Sequence, residues 1–133
     1  MSETDFFDTN VLLNLLSPDV TKSERAEDLL ADRGTVSIQV LDEFASVATR
    51  KFRMSMKGVR DTLGIVRRIC TVEVADIETH ELGLDIAERY KLSVYDSMLL
   101  AAAIKAKCTT FYSEDLQNGF KLDGLTIRNP FTC

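Results

Sequence analysis

Thr4-Asp5-Phe6-Phe7-Asp8-Thr9-Asn10-Val11-Leu12-Leu13-Asn14-Leu15-Leu16 changes its period at Asp8. Residues 4–8 read as a short strand built on Phe6 and Phe7. Residues 9–16 read as a short helix whose apolar face is Val11, Leu12, Leu15 and Leu16, and Ser17-Pro18-Asp19 breaks it. A strand that runs into a helix through one acid places that acid at the carboxyl end of the strand. In open α/β sheets this is the edge where ligands bind. Asp5 stands at the start of the same strand, so at the opposite edge.

The same alternation continues along the chain. Residues 21–32 predict a second helix with Gly34 as its C′ residue, and residues 35–38 a β-branched buried strand. Residues 39–52 form a helix with Val40, Leu41, Phe44, Val47 and Ala48 on one face. Met56, Val59, Leu63, Val66 and Ile69 mark the next helix at spacings of three and four. Residues 71–75 are strand-like and residues 78–90 helical. Residues 97–107 are apolar on nearly every side, which places that helix in the middle of the fold. Residues 109–113 and 125–128 supply the last strands, and Asn129-Pro130-Phe131 ends the ordered chain. Helices between short β-branched strands predict a three-layer α/β/α sandwich around a central, mainly parallel sheet. With no linker, repeat or low-complexity tract, residues 1–133 read as one domain.

Four acids fall at junctions into helices or turns: Asp8, Glu43, Asp96 and Asp115. If they gather at one sheet edge they repel. Two carboxylates about 4 Å apart cost roughly 4 kcal/mol at an effective dielectric near 20. Shared protons or a divalent cation relieve that cost, so the pattern points to a magnesium or manganese site and to phosphodiester hydrolysis. Each acid also has a plainer role. Asp8 can simply cap the helix from Thr9. Glu43 lies on the border of the core-facing stripe, between Val40 and Val47, and needs either an arginine or a metal as partner; Asp42 falls on the opposite side. Asp96 completes a capping box with Ser93. Asp115 shares a turn with Glu114, which is equally eligible, and Ser113 can hydrogen-bond whichever faces inward.

Composition narrows the chemistry. The net charge is −5, against nucleic-acid binding through bulk charge. Yet Arg50, Lys51, Arg53, Lys57, Arg60, Arg67 and Arg68 face a single acid, Asp61, over residues 50–68. Of these, Arg50, Lys51, Lys57, Arg60 and Arg67 are candidates for contact with a nucleic-acid backbone. They also simply oppose the apolar stripe, as a solvated helix face does. The single histidine, His80, in a polar helix start, excludes a metal-free ribonuclease built on two histidines. No P-loop, dinucleotide fingerprint or Ser-His-Asp motif occurs. Cys70, Cys108 and Cys133 are too scattered for a zinc or disulfide framework, which fits a cytoplasmic setting. The absence of a long apolar run argues against a membrane span.

These residues together resemble the PIN-domain nucleases, and in particular the VapC-type toxins of toxin–antitoxin pairs. The resemblance covers essentially the whole chain. It is carried by Phe7-Asp8-Thr9-Asn10-Val11-Leu12, Glu43, Ser93-Val94-Tyr95-Asp96-Ser97 running into Ala101-Ala102-Ala103, Ser113-Glu114-Asp115-Leu116-Gln117-Asn118-Gly119 and Asn129-Pro130-Phe131. It implies metal-ligand and catalytic roles for Asp8, Glu43, Asp96 and Asp115, with Thr9 or Asn10 and Ser113 orienting the carboxylates. It further implies single-stranded RNA as substrate, a homodimer, and a small antitoxin covering the groove.

Two other classes share parts of the pattern. A haloacid-dehalogenase-type phosphatase needs a second aspartate two residues after the first, where Asn10 stands; a receiver domain needs a strand-end lysine, for which Lys107 and Lys121 are poorly placed. A catalytically idle PIN scaffold is the remaining alternative.

Overall fold

The structure, a computed structural model, describes residues 4–132. Six strands form one sheet: β1 (Asp5–Phe7), β2 (Gly34–Ser37), β3 (Cys70–Glu73), β4 (Thr110–Tyr112), β5 (Lys121–Leu122) and β6 (Leu125–Arg128), in the order β3-β2-β1-β4-β6-β5. All neighbours are parallel except β5 and β6. The helices are α1 (Thr9–Leu13, continued by a 3-10 turn at Asn14–Leu16), α2 (Val20–Ala31), α3 (Ile38–Arg50), α4 (Met56–Ile69), α5 (Ile77–Tyr90) and α6 (Val94–Lys105). They fill every crossover between consecutive parallel strands up to β4, as expected from sequence.

Burial identifies the layers. Successive strand residues face opposite sides of a sheet. Phe6 and Phe7 are both fully buried, and all four residues of β2 are buried, so both faces of the sheet are covered. The two central strands are tied through their rings. Phe6 pairs with Phe111 and Phe7 with Tyr112 in register, and the rings stack at 5.3 and 6.0 Å between centroids. One pair lies on each face. Helix α6 buries Ser97 and Leu99 through Ala103, as its all-round apolar sequence requires, and packs chiefly on α5.

Two local expectations are corrected. Gly34 is not the C′ residue of α2. Arg33 takes the left-handed conformation there (φ 69°), and Gly34 is already in β2. A Cβ on Gly34 would stand 2.4 Å from the Phe7 ring, so the glycine is required by packing. The second correction is β5, a two-residue strand not anticipated from the sequence. It pairs antiparallel with β6 across Asp123-Gly124, both at positive φ (46° and 81°). That pair is a hairpin signal of the Asp-Gly type. Among the described residues, no helix is long and apolar enough to cross a membrane.

Candidate active site at the carboxyl edge of the sheet

Asp8 follows β1 and caps α1 from extended backbone (ψ 161°). The Phe7↔Tyr112 register makes Ser113 its neighbour across the ladder. Asp8 is only 5% exposed, and both of its oxygens are engaged. Oδ1 accepts the Thr9 N–H at 2.7 Å; Oδ2 accepts the Ser113 hydroxyl at 2.8 Å and the Asn10 amide at 3.2 Å. No basic side chain pairs with it among the described residues.

Burial therefore dominates its ionisation and raises its pKa. The hydrogen bonds from Ser113 and Thr9 oppose the rise, and the charges of Asp96 and Asp115 add to it. The net result is a pKa raised from 3.8 to about 6.

Asn10 is the hub that joins the first helix to the loop after β4. Its amide nitrogen stands 3.2 Å from Asp8 Oδ2, from Ser113 Oγ and from Asp115 Oδ2. Its amide oxygen accepts the Glu114 N–H at 3.0 Å. Ser113 Oγ in turn accepts from the N–H groups of Asp115 and Leu116. The ambiguity between the two acids of this turn is resolved by their partners. Asp115 faces Asn10, whereas Glu114 is turned away to Lys22 and to the Asn14 amide. Of the two candidate orienting residues after Asp8, Asn10 makes side-chain contacts to the acids. Thr9 contributes its backbone N–H, and its Oγ1 is buried with no partner among the described residues.

Asp96 sits in the first turn of α6. Ser93 caps that turn by accepting the Asp96 N–H at 3.1 Å, as the S-x-x-D spacing predicts. The Asp96 carboxylate itself makes no hydrogen bond or ion pair among the described residues, and its charge is felt at Asp8. Glu43 is half-buried on α3, and Asp42 is exposed beside it. No arginine pairs with Glu43 among the described residues; it accepts from the Gln39 amide one turn earlier, at 3.0 Å. The same amide donates to the Tyr95 carbonyl at 3.2 Å, which ties Glu43 to the start of α6. Sequence reasoning misses Gln39, although its spacing of four from Glu43 is the signal that finds it.

The structure thus brings Asp115 and the Asp96 charge to bear on Asp8, while Glu43 is tied through Gln39 to the start of α6. Among the described residues, no three acidic, histidine or cysteine side chains stand close enough to hold one ion as they are. The basic residues of α3 and α4 (Arg50, Lys51, Lys57, Arg60, Arg67) are exposed, and Lys57 is paired with Asp61. Val59 and Val66 are buried in α4, so its charged residues lie away from the core, as its spacing implies.

Residues 6–121 match the family described as the PIN domain. The chain belongs to the PIN domain family. Solved structures that resemble this PIN fold include the following three. A toxin-antitoxin complex from Klebsiella pneumoniae is 18% identical with a TM-score of 0.74, over 97% of this chain and 99% of that one. Mycobacterium tuberculosis VapC20, a Sarcin-Ricin loop cleaving toxin, is 18% identical with a TM-score of 0.66, over 80% of this chain and 86% of its own. VapBC2 from Rickettsia felis, bound to a DNA fragment from their promoter, is 17% identical with a TM-score of 0.67, over 94% and 97% respectively. No curated protein sequence matches significantly. The match to the PIN family and these alignments agree on one mainly parallel α/β fold.

Proposed function

We propose that the chain is a divalent-metal-dependent endoribonuclease that hydrolyses phosphodiester bonds of single-stranded RNA, and that it is the toxin of a toxin–antitoxin pair. One PIN unit over residues 1–133 would carry the activity. PIN family membership and the likeness to toxin structures support this reading. The observation that carries it is Asp8. A buried carboxylate with no basic partner and two further acids nearby is costly unless something cationic completes the site.

The donor set fits a hard cation, because all the donors are carboxylate oxygens. Asp8, Asp96 and Asp115 would hold magnesium or manganese once their side chains draw together, with Glu43 released from Gln39 to join them. A bound divalent ion would supply Lewis acidity, activating water and neutralising charge that grows on the phosphate. The chain's own residues keep the carboxylates in place. Asn10 bridges Asp8 and Asp115, and Ser113 fixes the second Asp8 oxygen. Asn10 is consumed inside this network and offers no second carboxylate, which disfavours the phosphatase reading.

The partners follow from the same reading: an RNA substrate, a small antitoxin that covers the site, and a second copy of the chain in a homodimer. The test is cleavage of single-stranded RNA with magnesium or manganese, against chelator, for the wild type and for Asp8→Asn. Cleavage is expected only in the wild type with metal. An equal rate in chelator defeats the metal assignment, and full activity of a folded Asp8→Asn variant defeats the site.

A further inference from the structure

Glu43 also borders an open groove of about 540 Å3 between the start of α3 and the α5–α6 pair. That volume lies in the range of small-ligand sites, roughly 300–1,000 Å3. Gln39, Asp42 and Glu43 line it from α3, His80 from α5, and Tyr95 and Met98 from α6. No lysine or arginine is among its lining residues.

Three features of this groove are unexplained by folding. Tyr95 is 73% exposed, makes no ring contact among the described residues, and immediately precedes Asp96. Its backbone is nevertheless pinned, because the Tyr95 carbonyl accepts from Gln39. Gln39 spends its amide nitrogen on Glu43 and Tyr95, which leaves its amide oxygen without a partner among the described residues. Asp42 is exposed and likewise unpaired among those residues.

The groove therefore offers an aromatic face and a few acceptors on an otherwise largely apolar lining that includes Ile38, Val74 and Met98, with no lysine or arginine. A phosphate would be repelled there. A nucleobase that carries an amino group suits it, since aromatic side chains stack any base and carboxylates accept from exocyclic amines. We infer that this groove seats a nucleobase of the RNA strand next to the nucleotide cut at the acids, with Tyr95 as stacking platform and Asp42 and Gln39 accepting from an amino-bearing edge. The inference rests on the ribonuclease reading for its ligand class, and adds where the strand lies and which bases it favours. Adenine, cytosine and guanine qualify; uracil has no amino group to donate.

The chain contains one histidine, so the His80 ring gives a single imidazole Hε1 line in a proton NMR spectrum. Short oligoadenylate and oligouridylate are titrated into the intact protein at low salt in chelator. The Tyr95 ring lines are assigned by their loss in Tyr95→Phe. Oligoadenylate is expected to shift the His80 and Tyr95 lines and to bind more tightly than oligouridylate. Tyr95→Ala weakens that binding roughly 5- to 150-fold, the size of one base–aromatic stack, while Tyr95→Phe stays within about twofold. Asp42→Asn narrows the preference for oligoadenylate. The proposal is overturned if oligoadenylate fails to bind, binds with both lines unmoved, or binds Tyr95→Ala as tightly as the wild type. Failure of the ribonuclease reading registers elsewhere, as absence of RNA cleavage by the wild type in magnesium. Groove shifts in such a protein would support the subsite and overturn only the nuclease.

Discussion

Replacing Asp8 with asparagine should stabilise the metal-free protein at neutral pH while abolishing the RNA cleavage proposed above. The Asp8 pKa rises from 3.8 to about 6 on folding, which is on the order of 3 kcal/mol held against the folded state when the group is ionised. The folded chain binds this proton more tightly than the unfolded one. Protonation thus contributes stability that is full below pH 3.8 and lost as pH rises through about 6. Asparagine avoids the loss, at a cost. Its oxygen can keep the Thr9 N–H, but its nitrogen then meets the Asn10 amide nitrogen donor to donor and turns the Ser113 hydroxyl from donor to acceptor, a loss of about 1 kcal/mol.

The net gain at pH 7.5 is about 2 kcal/mol, or roughly 6–10 °C in Tm for a chain of this size. Near pH 4.5 the ionisation cost has fallen to about 1 kcal/mol, and below that the order of the two proteins reverses. Thermal melts in chelator at pH 7.5 and pH 4 read both effects. Added magnesium should raise the Tm of the wild type and leave the variant where it was. A variant less stable than wild type at pH 7.5, by the same margin at both pH values, would refute the reasoning. It would mean that the hydrogen bonds to Asp8 outweigh its desolvation.

Three further outcomes are expected. Gly34→Ala puts a methyl 2.4 Å from the Phe7 ring and 3.1 Å from the Asp5 carbonyl, and should cost about 1–3 kcal/mol in urea denaturation; an unchanged midpoint would show that the ring has room to move. Charge reversal at the exposed Arg60 and Arg67 should weaken RNA binding and flatten its salt dependence by about 0.7 in log–log slope for each phosphate no longer neutralised. An unaltered slope would make that helix face merely solvated. The thiols of Cys70 and Cys108 are pushed up to about 11, chiefly by burial, so iodoacetamide at pH 8 should modify neither until the chain is unfolded. Peptide mapping by mass spectrometry reads this directly, and alkylation of either thiol in the native state would contradict its packing.

What can be read from sequence divides along physical lines. Helix α4 spans Met56–Ile69, the limits set by its first and last periodic apolar residues, because Ser55 caps it and the three-and-four spacing has no competitor. Strand β1 and its exit at Asp8 are legible because two consecutive phenylalanines followed by a polar N-cap admit few other readings. Strand β5 escapes because Lys121-Leu122 has no β-branched residue; its signal lies in the Asp123-Gly124 turn. Gly34 misleads because glycine after a helix usually supplies the left-handed residue, whereas here Arg33 bears that conformation and the glycine makes room for a ring. Within the site, the caps by Asp8 and Ser93 and the bond from Ser113 to an inward carboxylate follow from residue type and position, whereas Thr9 and Asn10 are suggested by the resemblance alone and only side-chain direction separates them. The division of labour between Glu114 and Asp115, and the Gln39 tie to Glu43, depend on side-chain directions that a one-dimensional pattern does not carry.

The stacked rings of β1 and β4 have a regulatory consequence. Asp8 and Ser113 are simply the next rung after Phe7 and Tyr112, so their meeting is set by the same alignment that packs Phe6, Phe7 and Phe111 into the core. On the ribonuclease reading proposed above, loosening this rung to silence the site would unsettle the core as well, so control would come from a partner that covers the acids.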